Sequence, residues 1–211
     1  METHLTERLD KLAEIVTGYS ARGRVVADPS ADFALLQTGD IDASGQFDHN
    51  TIEPSVIVGP NGPEPVKPHS RHLLREGDVL FISLGGGLRA VLVERDLSAI
   101  AAASSFFIVR VRDREVLDPG YLAWLLDQPP AKAHFELTAV GTYQGRVNKA
   151  ALESLPVSLP PIHTQHVIAR LAGLARDEDR LAREHAETRR ALIDHTLLQL
   201  ATGRLTPTPN A

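Results

Sequence analysis

Short apolar runs recur along the first 160 residues, each bounded by glycine or acidic turn residues. Runs of this length that are rich in β-branched and aromatic residues predict strands. They lie at residues 33–41, 78–84, 89–94 and 104–112. The segment 58–70 holds four prolines and two glycines, so it predicts an extended loop without regular structure.

Helical signals begin after these runs. Asp118 stands in the N-cap position and Pro119 in the first position of one predicted helix. A second helix starts after the prolines of QPPAKAHFELTAV and ends near Gly141, and Asn148 offers the N-cap of a third. The first 160 residues therefore predict an α+β fold class, with strands followed by short helices.

A much longer helical pattern begins near Pro161, where nearly forty residues follow with no further proline and a single glycine. Positions spaced three and four apart from Leu171 form one stripe, but only about half of them are apolar. Such a helix would be roughly 55–60 Å long and would not be stable alone.

An ordinary bundle helix is the alternative for this segment, but the chain supplies no second long helix to complete a bundle. We therefore expect a helix from another chain to cover the stripe in a coiled coil. The predicted dimer interface consists of the leucines of the stripe, which are Leu171, Leu174, Leu181 and Leu192.

Composition narrows the class of protein. No cysteine occurs, which excludes disulfides and thiolate metal sites. Residues 1–18 carry charges throughout and lack the apolar region of a signal peptide. The longest apolar-leaning run, residues 97–111, is too short and too rich in serine to span a bilayer. We expect a soluble, cytoplasmic protein.

Charge argues against a strongly basic nucleic-acid binder, because the net charge is −5. Residues 1–160 hold 15 of the 22 Lys/Arg and 21 of the 27 Asp/Glu. Contact with DNA would need a local basic patch and help from a partner. The segment 141–152 offers such a patch, with Tyr143, Gln144, Arg146 and Lys149 next to a predicted helix start. A solvated surface loop remains the alternative for this segment.

Other motifs give no site for catalysis. GGGLRA (85–90) fits part of a dinucleotide fingerprint, but the strand-like VLVERDL follows it where that fingerprint needs a helix. Two histidine pairs, His69/His72 and His163/His166, have metal-ligand spacing but no evident third ligand. We therefore expect no metal, no cofactor and no enzymatic activity.

The order of several segments resembles the specificity subunits of type I restriction-modification systems. They are LDKLAEIVTGYS (9–20), REGDVLFISLGGG (75–87), AIAAASSFFIVRV (99–111), LDPGYLAWLLD (117–127) and GTYQGRVNKAALESLPVSLPPIHTQHVIARL (141–171). The proline pair, Gln165 and Ile168 resemble that family's boundary between a recognition domain and a conserved helix. The resemblance covers nearly the whole chain, and no single motif decides it.

The resemblance implies a DNA target-recognition domain at 1–158, a long coiled-coil-forming helix at 159–203 and a flexible tail at 204–211. It implies a non-catalytic reader of double-stranded DNA that directs a methyltransferase subunit and a translocating restriction subunit. The family's methyltransferase subunits carry the signature Asn/Asp-Pro-Pro-aromatic, which is reduced here to LPPI (159–162), so we expect that this chain does not transfer the methyl group. With one recognition domain and one helix, the chain resembles a half-subunit. It would pair with itself, pair with another specificity chain, or be a decayed fragment.

On this resemblance, cations beside the glycine- and proline-rich segments join the candidate DNA-binding residues. Arg146 and Lys149 are expected to contact phosphates, and Tyr143 and Gln144 to reach a phosphate or a base edge. The further candidates are Arg22, Arg24, Lys67, Arg71 and Arg89. Two other classes stay open, namely a coiled-coil adaptor whose head binds protein and an enzyme that uses the glycine bend.

Overall fold

A computed structural model describes residues 5–42, 44–60, 62–83, 89–138, 147–202 and 204. The chain divides into two compact units, Met1–Ala172 and Gly173–Ala211. Within the described residues, the strands are β1 (Leu5–Arg8), β2 (Ala13–Thr17), β3 (Arg24–Ala27), β4 (Ala34–Leu36), β5 (Ser55–Gly59), β6 (Gly62–Pro65), β7 (Leu73–Leu74), β8 (Asp78–Ile82), β9 (Ala90–Leu92), β10 (Leu97–Ala102), β11 (Phe106–Val111) and β12 (Pro156–Leu159). The helices are α1 (Leu9–Leu12), α2 (Pro119–Leu126), α3 (Pro129–Thr138), α4 (Lys149–Glu153) and α5 (Ile162–Ala201), with short 3-10 turns at Thr38–Asp40 and Ser70–His72.

The first unit is built on an antiparallel sheet with the strand order β2-β11-β8-β9. Successive side chains of β11 point to opposite faces, because the side chains of a strand alternate. Phe107 and Val109 pack in one core with the helices, whereas Phe106 and Ile108 pack in a second core. Burial on both faces explains why β8 and β11 are continuous apolar runs in the sequence.

Helices α2, α3 and α4 contribute side chains to the first core and form the helical layer. The starts of α2 and α4 confirm the capping signals in the sequence. The Asp118 side chain accepts a hydrogen bond from the Tyr121 N–H at 2.7 Å, and Pro119 begins α2. The Asn148 side chain accepts from the Ala151 N–H at 2.8 Å and caps α4. Both interactions satisfy N–H groups that a helix start leaves without partners.

The second core lies under the sheet with the order β4-β10-β7. The predicted strand at 33–41 is shorter than expected, because only Ala34–Leu36 form β4 and a 3-10 turn follows at Thr38–Asp40. A further sheet has the order β3-β5-β6, and β1 pairs with β12.

The prediction of an irregular loop at 58–70 is wrong. β5 and β6 pair as an antiparallel hairpin, with Val58 opposite Pro63 and Val56 opposite Pro65. The two prolines occupy alternate positions on an edge strand, where their missing N–H groups remove no hydrogen bond from the ladder. Proline content alone therefore concealed this strand. A 3-10 turn at Ser70–His72 follows.

The long terminal helix is confirmed as α5, Ile162–Ala201. Along this helix Gln165 is the only buried side chain, and Ile168 and Ala169 are partly buried against the core that includes α2. In the described part of the chain, no helix is both long enough and apolar enough to cross a membrane.

Candidate nucleic-acid interface

Two basic segments of the first unit lack acidic residues. The first basic segment, residues 18–27, carries Arg22 and Arg24. The second basic segment, residues 67–75, carries Lys67, Arg71 and Arg75. All five of these side chains belong to exposed residues. Cations on acid-free segments are suited to contacting a phosphate backbone.

β3 positions the first basic segment. Arg24 opens this strand and pairs in register with Val58 of β5, so its backbone is fixed by a sheet rather than held in a loop. Among the described residues, the side chains of Arg22 and Arg24 have no ion-pair partner. Their charges therefore remain available to a ligand in solvent.

Tyr19 and His72 connect the two basic segments. Their rings contact each other edge to face, with ring centroids 5.8 Å apart. The ring of His69 contacts His72 in turn, at 6.4 Å between centroids. This aromatic contact brings the second basic segment against the residues that lead into Arg22 and Arg24.

A buried ion pair holds the end of the second basic segment. Arg110 of β11 donates from Nε to Oδ1 of Asp78 at 2.8 Å and from Nη2 to Oδ2 at 3.0 Å. The same guanidinium donates to the Leu73 carbonyl at 2.7 Å, and the Asp78 carboxylate accepts from the Arg75 N–H at 2.9 Å. A bidentate pair of this kind fixes the geometry of the backbone that it contacts.

Gly77 lies in the turn between the second basic segment and β8, where the sequence reads REGD (75–78). Its φ of +85° lies in the left-handed region that favours glycine. A side chain there would also meet the guanidinium of Arg114, which packs over the position of a Cβ atom. Gly77 and Asp78 thus form a structural corner at the start of β8.

His72 lies in an unusual environment for a histidine. Its Nε2 accepts a hydrogen bond from Arg71 Nε at 3.2 Å, so the ring proton lies on Nδ1. Among the described residues, that buried Nδ1 has no hydrogen-bond partner. Burial, followed by the Arg71 charge and then by His69 and Arg110, lowers the pKa of His72 below 6.5.

The structure does not bring all of the predicted DNA-binding residues together. Lys149 begins α4 in the helical layer, whereas Leu74 of the second basic segment packs in the other core. Lys149 is also paired with Glu153 at 3.5 Å. Arg89 donates to the Asp42 carbonyl at 3.3 Å and is therefore engaged within the protein.

Three predicted residues of the glycine-framed loop, Tyr143, Gln144 and Arg146, lie outside the described residues. So does most of the GGGLRA bend, but the residues after it form β9 and not the helix of a dinucleotide site. In the described ranges no cluster of three or more His, Asp or Glu side chains could hold a metal ion.

The sequence interpretation missed Arg75, Tyr19 and the Asp78–Arg110 pair. The run from Lys67 to Arg75 contains no acidic residue, and this charge pattern is visible in the sequence. It was missed because the predicted loop 58–70 ended inside the run. The ion pair had no local signal, because its partners lie on different strands.

The four predicted interface leucines are exposed on α5. Leu171, Leu174, Leu181 and Leu192 expose 56–64% of their surface. Several apolar residues near the end of α5 are exposed as well, namely Ile193, Leu197, Leu198 and Leu200. Exposed apolar residues in this number on one helix indicate a binding partner.

Comparison with known proteins gives a fold. No protein-family model and no curated protein sequence matches the chain. The crystal structure of the HsdS subunit from Thermoanaerobacter tengcongensis superposes with a TM-score of 0.57 at 20% identity, covering 100% of this chain and 51% of that one. The chain has the fold of an HsdS specificity subunit.

Two further structures agree with this fold. A chain from a study of complex assembly and conformational transition of the type I R-M system matches at a TM-score of 0.56 and 21% identity, with 100% and 51% coverage. The type I restriction-modification S subunit from M. genitalium matches at 0.52 and 14% identity, with 93% and 45% coverage. The chain thus spans about half the length of these HsdS structures.

Proposed function

We propose that this chain is a sequence-specific DNA-recognition subunit of a type I restriction-modification complex. The observation that carries the proposal is the match of the whole chain to about half of an HsdS subunit. That half would comprise a target-recognition domain at 1–158, a helix at 159–203 for dimerisation and methyltransferase docking, and a tail at 204–211. The chain would direct a DNA methyltransferase subunit and a translocating restriction subunit in the cytoplasm, and would itself be non-catalytic.

The assembly would be a two-fold homodimer that replaces the two halves of a full-length subunit. The exposed leucines Leu171, Leu174, Leu181 and Leu192 support this step, because burial in a helix pair would remove them from water. A two-fold pair presents the same surface twice and would read a bipartite palindromic site.

DNA would be held by the two basic segments, with Arg22, Arg24, Lys67 and Arg71 on phosphates. The exposure of these cations and the Tyr19–His72 contact support one continuous surface. Arg146, Tyr143 and Gln144 stay in the proposed contact set. Lys149 and Arg89 stay as weaker members, because Lys149 pairs with an acidic side chain and Arg89 donates to a carbonyl distant in sequence, whereas the partner of Arg71 is its sequence neighbour His72. A chain with a net charge of −5 would depend on its methyltransferase partner for much of the positive field.

Co-expression tests the proposed function. The chain is produced with the type I modification subunit of its own organism in a host that lacks restriction-modification genes. Modified bases are then mapped across the host chromosome by sequencing. We expect modification at one bipartite sequence when both proteins are present, and none when either is produced alone.

The outcomes separate the competing functions. A physical complex with the methyltransferase that leaves the chromosome unmodified would contradict the proposal and favour a protein-binding adaptor. Modification by the chain alone would contradict its non-catalytic role.

A further inference from the structure

Gln165 is a buried polar residue of α5 whose side chain makes three hydrogen bonds. Its residue surface is 1% exposed, and its Oε1 accepts from the Asp118 N–H at 3.0 Å. Its Nε2 donates to the Val116 carbonyl at 3.0 Å and to the Pro160 carbonyl at 2.9 Å. Both amide protons and the amide oxygen are therefore in use, as burial of a primary amide demands.

These hydrogen bonds tie the beginning of α5 to the loop that leads into α2. Val116 and Asp118 precede α2, and Pro160 precedes α5. One side chain thus fixes two segments that are distant in sequence. Because hydrogen bonds are directional, they select one register where apolar contacts alone would permit small slips.

Close packing surrounds this amide in the first unit. A Cβ atom built on Gly120 of α2 would lie 2.9 Å from the Cβ atom of Ala169, so the backbone of α2 lies close to Ala169 of α5. Ile168 and Ala169 pack against the core, and His166 lies 3.7 Å from the Asp118 carboxylate. The spacing 165, 168 and 169 places these contacts on one face of the helix.

We infer that Gln165 is a positioning residue that fixes the first turns of α5 on the recognition domain and thereby sets the spacing between the two half-sites. This inference rests on the proposed function. In a two-fold reader, each recognition domain must be attached rigidly to the dimer if the complex is to accept a single separation between the half-sites. An amide with every polar atom bonded inside the domain is suited to that attachment.

The experiment uses the co-expressed complex with Gln165→Leu, which keeps a similar volume and removes all three hydrogen bonds. The readout is the distribution of spacer lengths between the half-sites in the modified sequences. Wild type is expected to modify one spacer length. The variant is expected to modify sites one base pair longer or shorter as well, with discrimination between spacers reduced about tenfold or more.

Gln128→Leu is the matched control, because Gln128 also lies in the first unit and its Nε2 donates to the Trp124 carbonyl at 2.9 Å. It loses a hydrogen bond that involves no residue of α5, and its spacer distribution should equal that of wild type. General destabilisation lowers the amount of modification but leaves the spacer length unchanged, so the two effects are distinguishable.

The outcomes separate the inference about Gln165 from the proposed function. A single unchanged spacer in active Gln165→Leu would overturn the inference while leaving the proposed function intact. Absence of any bipartite sequence in wild type would instead overturn the proposed function.

If Gln165→Leu yields no active complex, Gln165→Asn is read in the same way, since its shorter amide cannot reach all three partners. Broader spacing in this variant supports the inference. Unchanged spacing overturns it, as does loss of activity in both variants while Gln128→Leu stays active, because Gln165 would then serve folding alone.

Discussion

At the scale of single residues, Asp78 and Arg110 contribute the buried charge pair that shapes the candidate interface. Their side chains are 3% and 14% exposed, and their charges are mutually satisfied by two hydrogen bonds. Removal of one partner leaves the other charge buried, which is far more costly than loss of a pair on the surface.

We predict that Asp78→Ala lowers the free energy of unfolding by about 3–5 kcal/mol. The matched control is Glu76→Ala, whose partner Arg114 is 3.9 Å away on the surface, and which should cost no more than about 1 kcal/mol. Chemical denaturation of both variants measures the difference. Equal losses would show that the buried pair does not stabilise this corner.

His72 predicts a pH dependence of stability. Its pKa in the folded protein lies below 6.5, so the unfolded chain binds more protons in the weakly acidic range. The free energy of unfolding should therefore fall as the pH is lowered from about 7 through the depressed pKa. This contribution is present above the unfolded pKa and is lost on acidification.

His72→Gln should flatten that pH profile, because the glutamine does not titrate. The wild-type protein, measured under the same conditions, is the reference. Denaturation curves collected between about pH 5 and pH 7 measure both slopes. A slope in His72→Gln equal to that of wild type would contradict the assignment.

At the scale of secondary-structure elements, the sequence predicted those features that depend only on neighbouring residues. Asp118 and Asn148 cap the helices that they predict, because a cap needs only the next three residues. Pro63 and Pro65 misled the interpretation, since their tolerance depends on β6 being an edge strand. Strand pairing is non-local, and no residue pattern showed that Tyr19 and His72 would meet.

The leucine stripe of α5 predicts self-association. Leu181→Asp should raise the dissociation constant of the proposed dimer by roughly 100-fold or more, because both copies lose a leucine that the helix pair would bury. Ala186→Asp adds the same charge away from the stripe and should have little effect. Sedimentation at micromolar concentrations compares them. A wild-type monomer at tens of micromolar without any partner would contradict the homodimer.

The basic segments predict a salt dependence of DNA binding. Arg24→Ala in the complex with the methyltransferase should reduce the slope of log affinity against log salt by about one. Lys149→Ala should change it less, because Lys149 already pairs with Glu153 on the helical layer. A slope that falls only for Lys149→Ala would place the DNA on the helical side of the sheet with the order β2-β11-β8-β9.

At the scale of the whole molecule, the described residues form one mixed α/β unit and one long helix, and the chain carries a net negative charge. A resemblance spread over many weak motifs led to the same fold as the structural comparison. Residues for the proposed base contacts could not be assigned in this way, because base contacts depend on individual side chains and on their placement in a groove. Because the chain matches about half of an HsdS subunit and carries a net negative charge, the proposed function depends on assembly with partners.

Specific binding by the assembled complex is the most direct measurement of that function. The purified complex with the methyltransferase is titrated with two labelled duplexes of equal length, one carrying the modified sequence and one a scrambled version of it. We predict an affinity about 1,000-fold or more higher for the modified sequence at physiological salt. Equal affinities for the two duplexes would contradict the proposal that this chain reads DNA sequence.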